Sequence, residues 1–330
     1  QAGYEIVPFE EKADVYIINT CTVTNIADRK SRQMLRRVKQ LNPQAILAAC
    51  GCYAQVAKEE LKRIPEIDLI LGTNEKNQIV ELVEKNRKVC EISDVMHQVE
   101  FLDFGTTTYT EKTRAVIKVQ DGCDRFCSYC IIPYARGRVR SRKPEAVLAE
   151  IRQIAEKGVK EVVITGIHVA SYGKDLDKPD GLISLLEAIQ KIDGIERIRL
   201  GSLEPTLITE AFVKRLQKLD KICDQFHLSL QSGCDETLAR MNRKYTTKEF
   251  MEGTERLKKA FPEVSLTTDI IVGFPGETDE EFAKTKEFLR KIDFYRMHIF
   301  KYSKRKGTKA ASMPNQVAPE KQEERSKILR

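Results

Sequence analysis

Cys123, Cys127 and Cys130 fall within eight positions of the chain, in the segment GCDRFCSYC. Thiolates this close together in one loop bind zinc or an iron–sulfur cluster far more often than they pair as disulfides. A structural zinc site takes four ligands, and the four histidines (His97, His168, His227 and His298) all lie well away in sequence. A cubane cluster has four irons, so three thiolates leave one iron open to a further ligand. The spacing therefore favours an open-site cluster over a zinc clip. Five arginines and lysines follow directly: Arg136, Arg138, Arg140, Arg142 and Lys143.

The other cysteines are Cys21, Cys50, Cys52, Cys90, Cys223 and Cys234, nine in all with the loop. An odd number spread along the chain, with no secretory signal, argues against a disulfide scaffold and for a reducing compartment. Cys21 and Cys52 each follow a run that reads as a buried strand. Open α/β sheets place ligands at the C-terminal edge of their strands, so the pair are either ligands or buried strand-end thiols. Cys90, Cys223 and Cys234 read as structural.

The elements that must hold these residues are legible as alternation. Strands are expected at 14–19, 45–49 and 67–72, with helices at 26–41, 54–63 and 75–86, which predicts a small open parallel sheet with helices on its faces. Periodicity lapses from 91 to 113, where GTTTYT marks a linker. A longer series follows, with strands at 115–121, 161–166, 197–202, 225–231, 266–273 and 294–302. Helices fit at 144–157, 181–192, 206–219, 235–260 (broken) and 278–291. Six parallel βα units make a curved sheet or partial barrel whose chemistry sits at the C-terminal face. The three-cysteine loop follows the first of these strands.

The chain has 330 residues, 41% of them hydrophobic and 32% charged, ample for two domains with real cores. No apolar run reaches the length of a membrane span. It begins at Gln1 rather than Met, as a chain that starts inside a longer protein would. Net charge is +7 and the basic residues cluster. One group is Arg29, Lys30, Arg32, Arg36, Arg37 and Lys39; a second is the run behind the cysteine loop; a third is Lys301, Lys304, Arg305, Lys306 and Lys309. Any one of these is as well explained by solvated surface. Three together favour a polyanion such as nucleic acid over a small anionic substrate.

An open iron can chelate the amino and carboxylate groups of S-adenosylmethionine and pass an electron to its sulfonium, releasing a 5′-deoxyadenosyl radical. The loop, with Tyr129 before its last cysteine, resembles the signature of the radical S-adenosylmethionine superfamily. INTCTVTNIADRKSRQ (18–33) and CGCYAQ (50–55) resemble the cluster-binding N-terminal domain of the methylthiotransferases, and GCDRFCSYCIIPYARGRVRSR (122–142) and TDIIVGFPGET (268–278) resemble their radical domain. TRAVIKVQDGC, VVITGIHVASYGKD, HLSLQSG, MNRKYT and FKYSKRKGTKAA are similar to the threonylcarbamoyladenosine tRNA methylthiotransferases. The likeness runs from about residue 10 to residue 313.

That resemblance implies a small open parallel α/β sheet domain at 1–95, a linker at 96–112, and a six-unit partial TIM barrel of the radical SAM type at 113–330. It implies two 4Fe–4S clusters. One is open-site on Cys123, Cys127 and Cys130; the other is auxiliary, with Cys21 and Cys52 as two of its three ligands. The family's first auxiliary cysteine, in a Gly-Cys-x-x-Asn motif, has no counterpart before Cys21, and no C-terminal TRAM domain follows. Both imply a chain shorter than its relatives at each end. Cys50 is an alternative ligand, although a strand-end thiol is the simpler account. The activity implied is conversion of N6-threonylcarbamoyladenosine at position 37, next to the anticodon of tRNA, to its 2-methylthio form. A radical route suits the unactivated C2–H bond of adenine, which no side-chain base or nucleophile breaks directly.

S-adenosylmethionine contacts are expected from Tyr129, near its adenine, and from Gly166, Ser202, Glu204, Gln231 and Arg243 at or after strand ends; each has an equal account as a structural residue. Arg136, Arg138, Arg140 and Arg142 are candidates for phosphates of the anticodon stem-loop. An electron donor such as flavodoxin or ferredoxin is implied, with a cytoplasmic location and neither membrane nor DNA as partner. The rival readings are a sister enzyme acting on isopentenyladenosine in tRNA or on a ribosomal-protein aspartate, and a zinc-bound RNA-binding protein without activity.

Overall fold

The computed structural model describes residues 3–85, 88–98, 100–103, 105, 113–178 and 180–330. They form two compact units. The first comprises 1–102, 130–138 and 303–307; the second comprises 103–129, 139–302 and 308–330. Two short segments from beyond residue 129 thus belong with the first unit, which local sequence does not reveal.

In the first unit β1 (Val15–Thr20) leads into α1 (Asn25–Leu41) and β2 (Ile46–Gly51). The short helices α2 (Cys52–Val56) and α3 (Lys58–Leu61), β3 (Leu69–Leu71), α4 (Ile79–Glu84) and β4 (Val89–Glu91) follow. The sheet order is β1-β2-β3-β4, with every pair parallel. Strand periodicity decides what each face buries. Tyr16, Leu47, Ala49 and Ile70 pack with Leu35 and Val38 of α1. Ala48, Cys50, Leu69 and Leu71 point the other way and pack with Leu82 and Val83 of α4. Helix α1 starts at Thr24, whose hydroxyl accepts the N–H of Ala27. It buries Ser31, Leu35 and Val38, one stripe at helical spacing, and stops before Pro43.

The second unit opens on β5 (Arg114–Asp121). The chain then passes through α5 (Ile132–Arg136), which packs with the first unit, and returns at β6 (Arg140–Ser141). Next come α6 (Pro144–Glu156), β7 (Glu161–Gly166), α7 (Gly181–Ile189), β8 (Arg197–Leu200), α8 (Glu210–Leu216) and β9 (Gln225–His227). The last elements are α9 (Asp235–Arg240), α10 (Thr247–Ala260), β10 (Ser265–Val272), α11 (Asp279–Ile292), β11 (Arg296–Lys301) and α12 (Pro319–Leu329). Strands β5, β7 and β8 pair in parallel, as do β9, β10 and β11. Isolated parallel bridges, Ile198 to Ile222 and Leu203 to Leu228, carry the order from one set to the other. The result is six parallel strands in chain order, the expected α/β partial barrel, with β6 antiparallel on the outer edge of β5. Ile117, Val162, Ile164, Ile198, Phe226 and Ile270 of the strands bury against Ile151, Leu186, Leu216, Phe250 and Leu289 of the helices. Two capping boxes, Thr246 with Glu249 and Thr278 with Glu281, start α10 and α11.

The differences from expectation are short elements. β4, α5 and β6 have three, five and two residues, too few to show a period. The helix expected at 54–63 is interrupted at Ala57. The strand expected at 225–231 is regular only to His227, and Gln231 takes a positive φ of 71°. A 3₁₀ turn occupies Val95–His97 in the expected linker, and residues 99, 104 and 106–112, with most of GTTTYT, lie outside the described residues. No described helix is long and apolar enough to cross a membrane.

Candidate functional site

The cysteine loop leaves the C-terminal end of β5, at the edge where parallel βα units gather their ligands. Cys123 is half-buried and Cys127 buried, both in the second unit; Cys130 opens the 130–138 segment of the first. Polar contacts fix the loop from below. Asn242, itself at φ 59°, donates from Nδ2 to the carbonyl of Phe126 at 2.9 Å, and Phe126 takes a φ of 47°. The backbone N–H of Ser128 bonds to the Met241 carbonyl at 3.0 Å, and its hydroxyl to the Arg240 carbonyl at 2.8 Å. The loop conformation is thus held by residues more than a hundred positions away, from the segment that follows α9.

The thiols themselves receive donors. The backbone N–H of Arg125 points at Cys123 Sγ at 3.5 Å, and Arg243 Nη1 at Cys127 Sγ at 3.2 Å. Burial pushes the Cys123 thiol up to about 11, partly offset by that backbone donor. Such donors suit sulfurs that carry charge, as cluster-ligating thiolates do. Among the described residues no three ligating side chains stand together at metal-binding distance, so the grouping rests on the loop and its donors.

Beside the loop lies a buried charge network. Glu204, 2% exposed, follows β8 and pairs with Arg125, with His168 Nε2 at 3.0 Å and with Arg243 Nη2 at 3.8 Å. Burial alone would raise this carboxyl. The His168 hydrogen bond and the charges of His168, Arg243 and Arg125 outweigh it and hold Glu204 at about 2. His168 is oriented by Ser171 at 2.7 Å on Nδ1, and its backbone N–H bonds Gln120 Oε1 at 2.7 Å. Arg243 continues to the Tyr245 hydroxyl at 2.9 Å and the Ser229 carbonyl at 3.2 Å. Glu204 Oε1 is buried with no hydrogen-bond partner among the described residues, and so is Arg125 Nε. An unmatched buried acceptor costs about 1–3 kcal/mol. A bound molecule bearing hydroxyl or ammonium donors would relieve that cost.

In the first unit Thr20 and Gly51 are register partners at the ends of β1 and β2. The residues that follow them are Cys21, exposed, and Cys52, buried. Thr20 Oγ1 donates to the Cys50 carbonyl at 2.6 Å and accepts the N–H of Ala54 at 3.2 Å, tying the end of β1 to the start of α2. Gly51 makes the turn at φ 99°, where a Cβ would meet the Thr20 carbonyl and Asn19 Oδ1 at 2.7 Å. Arg136, at the end of α5, donates from Nε to Cys52 Sγ at 3.2 Å. Cys50 points into the apolar cluster beneath α4 and is raised by that burial. Cys52, which starts a helix rather than ending a strand, does not share its face.

Two of the expected phosphate contacts change here. Arg140 and Arg142 are 2% and 6% exposed. Arg140 stands 3.8 Å from Asp121, while Arg142 pairs with Glu150 and, at 2.6 Å, with Asp103. Both are internal, so neither is an accessible phosphate contact; the run RVRSR enters a strand, where alternate side chains turn inward. Arg136 is committed to Cys52, and of the four only Arg138 is exposed. Gly166 is needed for packing, since a Cβ there would meet Gln120 at 2.9 Å. Gln231 bridges to Ile270, Ser202 is exposed, and Tyr129 packs edge-on against Phe274 at 6.4 Å. Sequence reasoning missed Arg125, His168 and Asn242. Each stands at or just past a strand or helix end within a motif already singled out, but their pairing with Glu204 or the loop backbone is purely tertiary.

Comparison with known proteins follows the same division. Residues 117–289 match the radical SAM superfamily, and residues 1–72 match a family described as uncharacterized protein family UPF0004. The chain is 42% identical to the threonylcarbamoyladenosine tRNA methylthiotransferase MtaB of Bacillus subtilis, over 96% of this chain and 71% of that protein. It is 43% identical to the protein of the same name from Aquifex aeolicus, over 100% and 81%. It is also 42% identical to a tRNA-2-methylthio-N(6)-dimethylallyladenosine synthase of Caldicellulosiruptor saccharolyticus, over 99% and 71%. In fold it is similar to the radical S-adenosylmethionine methyltransferase TsrM of Kitasatospora setae, with a TM-score of 0.67 at 16% identity, over 92% of this chain and 67% of that one. With the cysteine loop after the first strand of a six-stranded partial barrel and relatives 42–43% identical over 96% or more of this chain, the chain belongs to the methylthiotransferases of the radical S-adenosylmethionine superfamily.

Proposed function

We propose that this protein converts N6-threonylcarbamoyladenosine at position 37 of tRNA to its 2-methylthio derivative. The observation that carries the substrate is the 42–43% identity, over 96% or more of the chain, to two proteins named for that reaction. The relative named for dimethylallyladenosine is equally similar, which supports a second reading with that base as substrate. Mass spectrometry of tRNA nucleosides from a deletion strain separates them. Loss of 2-methylthio-N6-threonylcarbamoyladenosine alone supports the first reading; loss of the dimethylallyl product alone replaces it with the second.

In this reading Cys123, Cys127 and Cys130 hold the open-site 4Fe–4S cluster, and Cys21 and Cys52 contribute to an auxiliary one. With S-adenosylmethionine bound, the first supplies radical chemistry at an unactivated C–H bond. The protein's own part is positional. Asn242 and Ser128 fix the loop, and Arg243 ties Cys127 to Glu204. Glu204 Oε1, which accepts no hydrogen bond among the described residues, is the acceptor for hydroxyl or ammonium groups of the cofactor. Gly166, Ser202, Gln231 and Tyr129 complete the expected cofactor contacts, and Arg138 remains as a phosphate contact. The first unit acts as the auxiliary-cluster domain and the second as the radical domain. A flavodoxin or ferredoxin supplies electrons, and the enzyme works in the cytoplasm.

A further inference from the structure

We infer that α1 and the loop at 303–307 form one composite basic surface on the first unit, and that it takes the phosphate backbone of the RNA loop presented for modification. This rests on the tRNA reading and assigns a surface to it.

The cations of α1 divide by face. Arg32 reaches the Tyr53 hydroxyl at 2.8 Å and Glu60 at 3.9 Å, and Lys39 reaches the Ala45 carbonyl at 2.6 Å and Asp68 at 3.4 Å. These hold the helix to its own unit. Arg29, Lys30, Arg36 and Arg37 are exposed, and no carboxylate lies within ion-pair distance of them among the described residues. Arg29 and Arg36, like Lys30 and Arg37, are two turns apart, about 10 Å along one side of the helix. The one acidic side chain of α1, Asp28, is occupied by Arg305.

Arg305 brings in the second component. It is 6% exposed and bonds Thr22 Oγ1 at 2.5 Å, Asn25 Oδ1 at 2.5 Å and Asp28 Oδ2 at 2.6 Å. Asn25 answers by donating from Nδ2 to the Lys304 carbonyl at 3.0 Å, and its backbone N–H reaches Ser303 Oγ at 3.3 Å. Arg305 therefore clamps the loop onto the start of α1. Its neighbours Lys304 and Lys306 are exposed on either side of it. Two basic clusters separated by more than 260 positions thus become one surface with six exposed cations. The helix begins four residues after Cys21, at the edge of the sheet where β1 and β2 end just before Cys21 and Cys52. Uncompensated, closely set cations on a rigid helix suit a chain of phosphates rather than a single anion. RNA loops are also the part of a folded RNA whose bases can be presented to a protein.

The test is fluorescence anisotropy with a labelled anticodon stem-loop RNA and the whole chain, titrated between 50 and 200 mM salt (an experimental range of roughly fourfold). Three variants of equal charge change are compared with the parent: Arg29→Glu with Arg36→Glu, Lys304→Glu with Lys306→Glu, and Lys248→Glu with Lys259→Glu on α10 of the second unit. Thermal melts check that each is folded. The first two are expected to weaken binding by about tenfold or more and to reduce the salt dependence by about 1.5 in log–log slope, with the α10 pair near the parent. If all three variants behave alike while the parent binds RNA, the surface is wrong and the tRNA reading stands. If the parent itself does not bind RNA, both fall. If the first two variants weaken binding of an acidic flavodoxin and leave RNA untouched, the surface is a protein dock and the inference is overturned.

Discussion

In each unit a buried cysteine receives a guanidinium N–H at 3.2 Å, Cys127 from Arg243 and Cys52 from Arg136. The supports behind the two arginines differ. Arg243 is itself buried among Glu204, Tyr245 and Ser229, and Glu204 is fixed in turn by His168 and Arg125. Arg136 sits at the end of a five-residue helix, whose Ala135 carbonyl accepts a hydrogen bond from Thr73 Oγ1 at 3.0 Å. A thiol in the second unit is held by a network centred on the buried Glu204; its counterpart in the first lies beside strand ends, a glycine turn and Arg136. The difference teaches where rigidity is built into this protein. Buried charge is costly unless every partner is present, so the second unit's site tolerates little change.

The largest expected effect is on the metal. Replacing Cys123, Cys127 and Cys130 together by Ala should remove about four irons per chain and abolish S-adenosylmethionine cleavage, measured by anaerobic iron analysis and release of 5′-deoxyadenosine. Replacing Cys21 and Cys52 should preserve cleavage and abolish methylthiolation. Loss of both activities in both variants would mean that the two sites are not separable.

Next comes stability. Glu204→Ala leaves the buried Arg243 side chain and the part-buried Arg125 beside no carboxylate and should cost about 3–5 kcal/mol, read by urea unfolding. Arg136→Ala should cost about 1 kcal/mol and lower iron retention only in the first unit. Equal losses for the two would erase the contrast drawn above.

Acid offers a finer probe of the same network. The Glu204 carboxyl is held at about 2 against an ordinary 4.5, so its stabilisation is complete above about pH 4.5 and is lost as pH falls toward 2. The stability gap between the parent and Glu204→Gln should therefore be widest at neutral pH and narrow below 4.5; a gap constant down to pH 3 would contradict it. The smallest effect belongs to Cys50→Ala, which should cost about 1 kcal/mol of packing and leave the iron content unchanged. Iron loss there would restore Cys50 as a ligand.

Much of this was legible in the residues. Six strand–helix alternations gave the partial barrel because hydrophobic period and glycine punctuation are local. The cysteine loop stood out because its three cysteines lie within eight positions. RVRSR misled for the opposite reason: charge type is local, but the entry into β6 that turns Arg140 and Arg142 inward is decided by pairing with β5. β4, α5 and β6 were invisible because fewer than six residues carry no period.

By itself, then, the sequence determined the α/β class and the family, since each depends on residue type at short spacing. Only the tertiary structure decided that Glu204, His168, Arg125 and Arg243 form one buried network. It alone decided that Arg136 faces Cys52, and that Arg305 joins the loop at 303–307 to α1. Those contacts link residues tens to hundreds of positions apart, and burial selects them by requiring every charge taken out of water to find its partner.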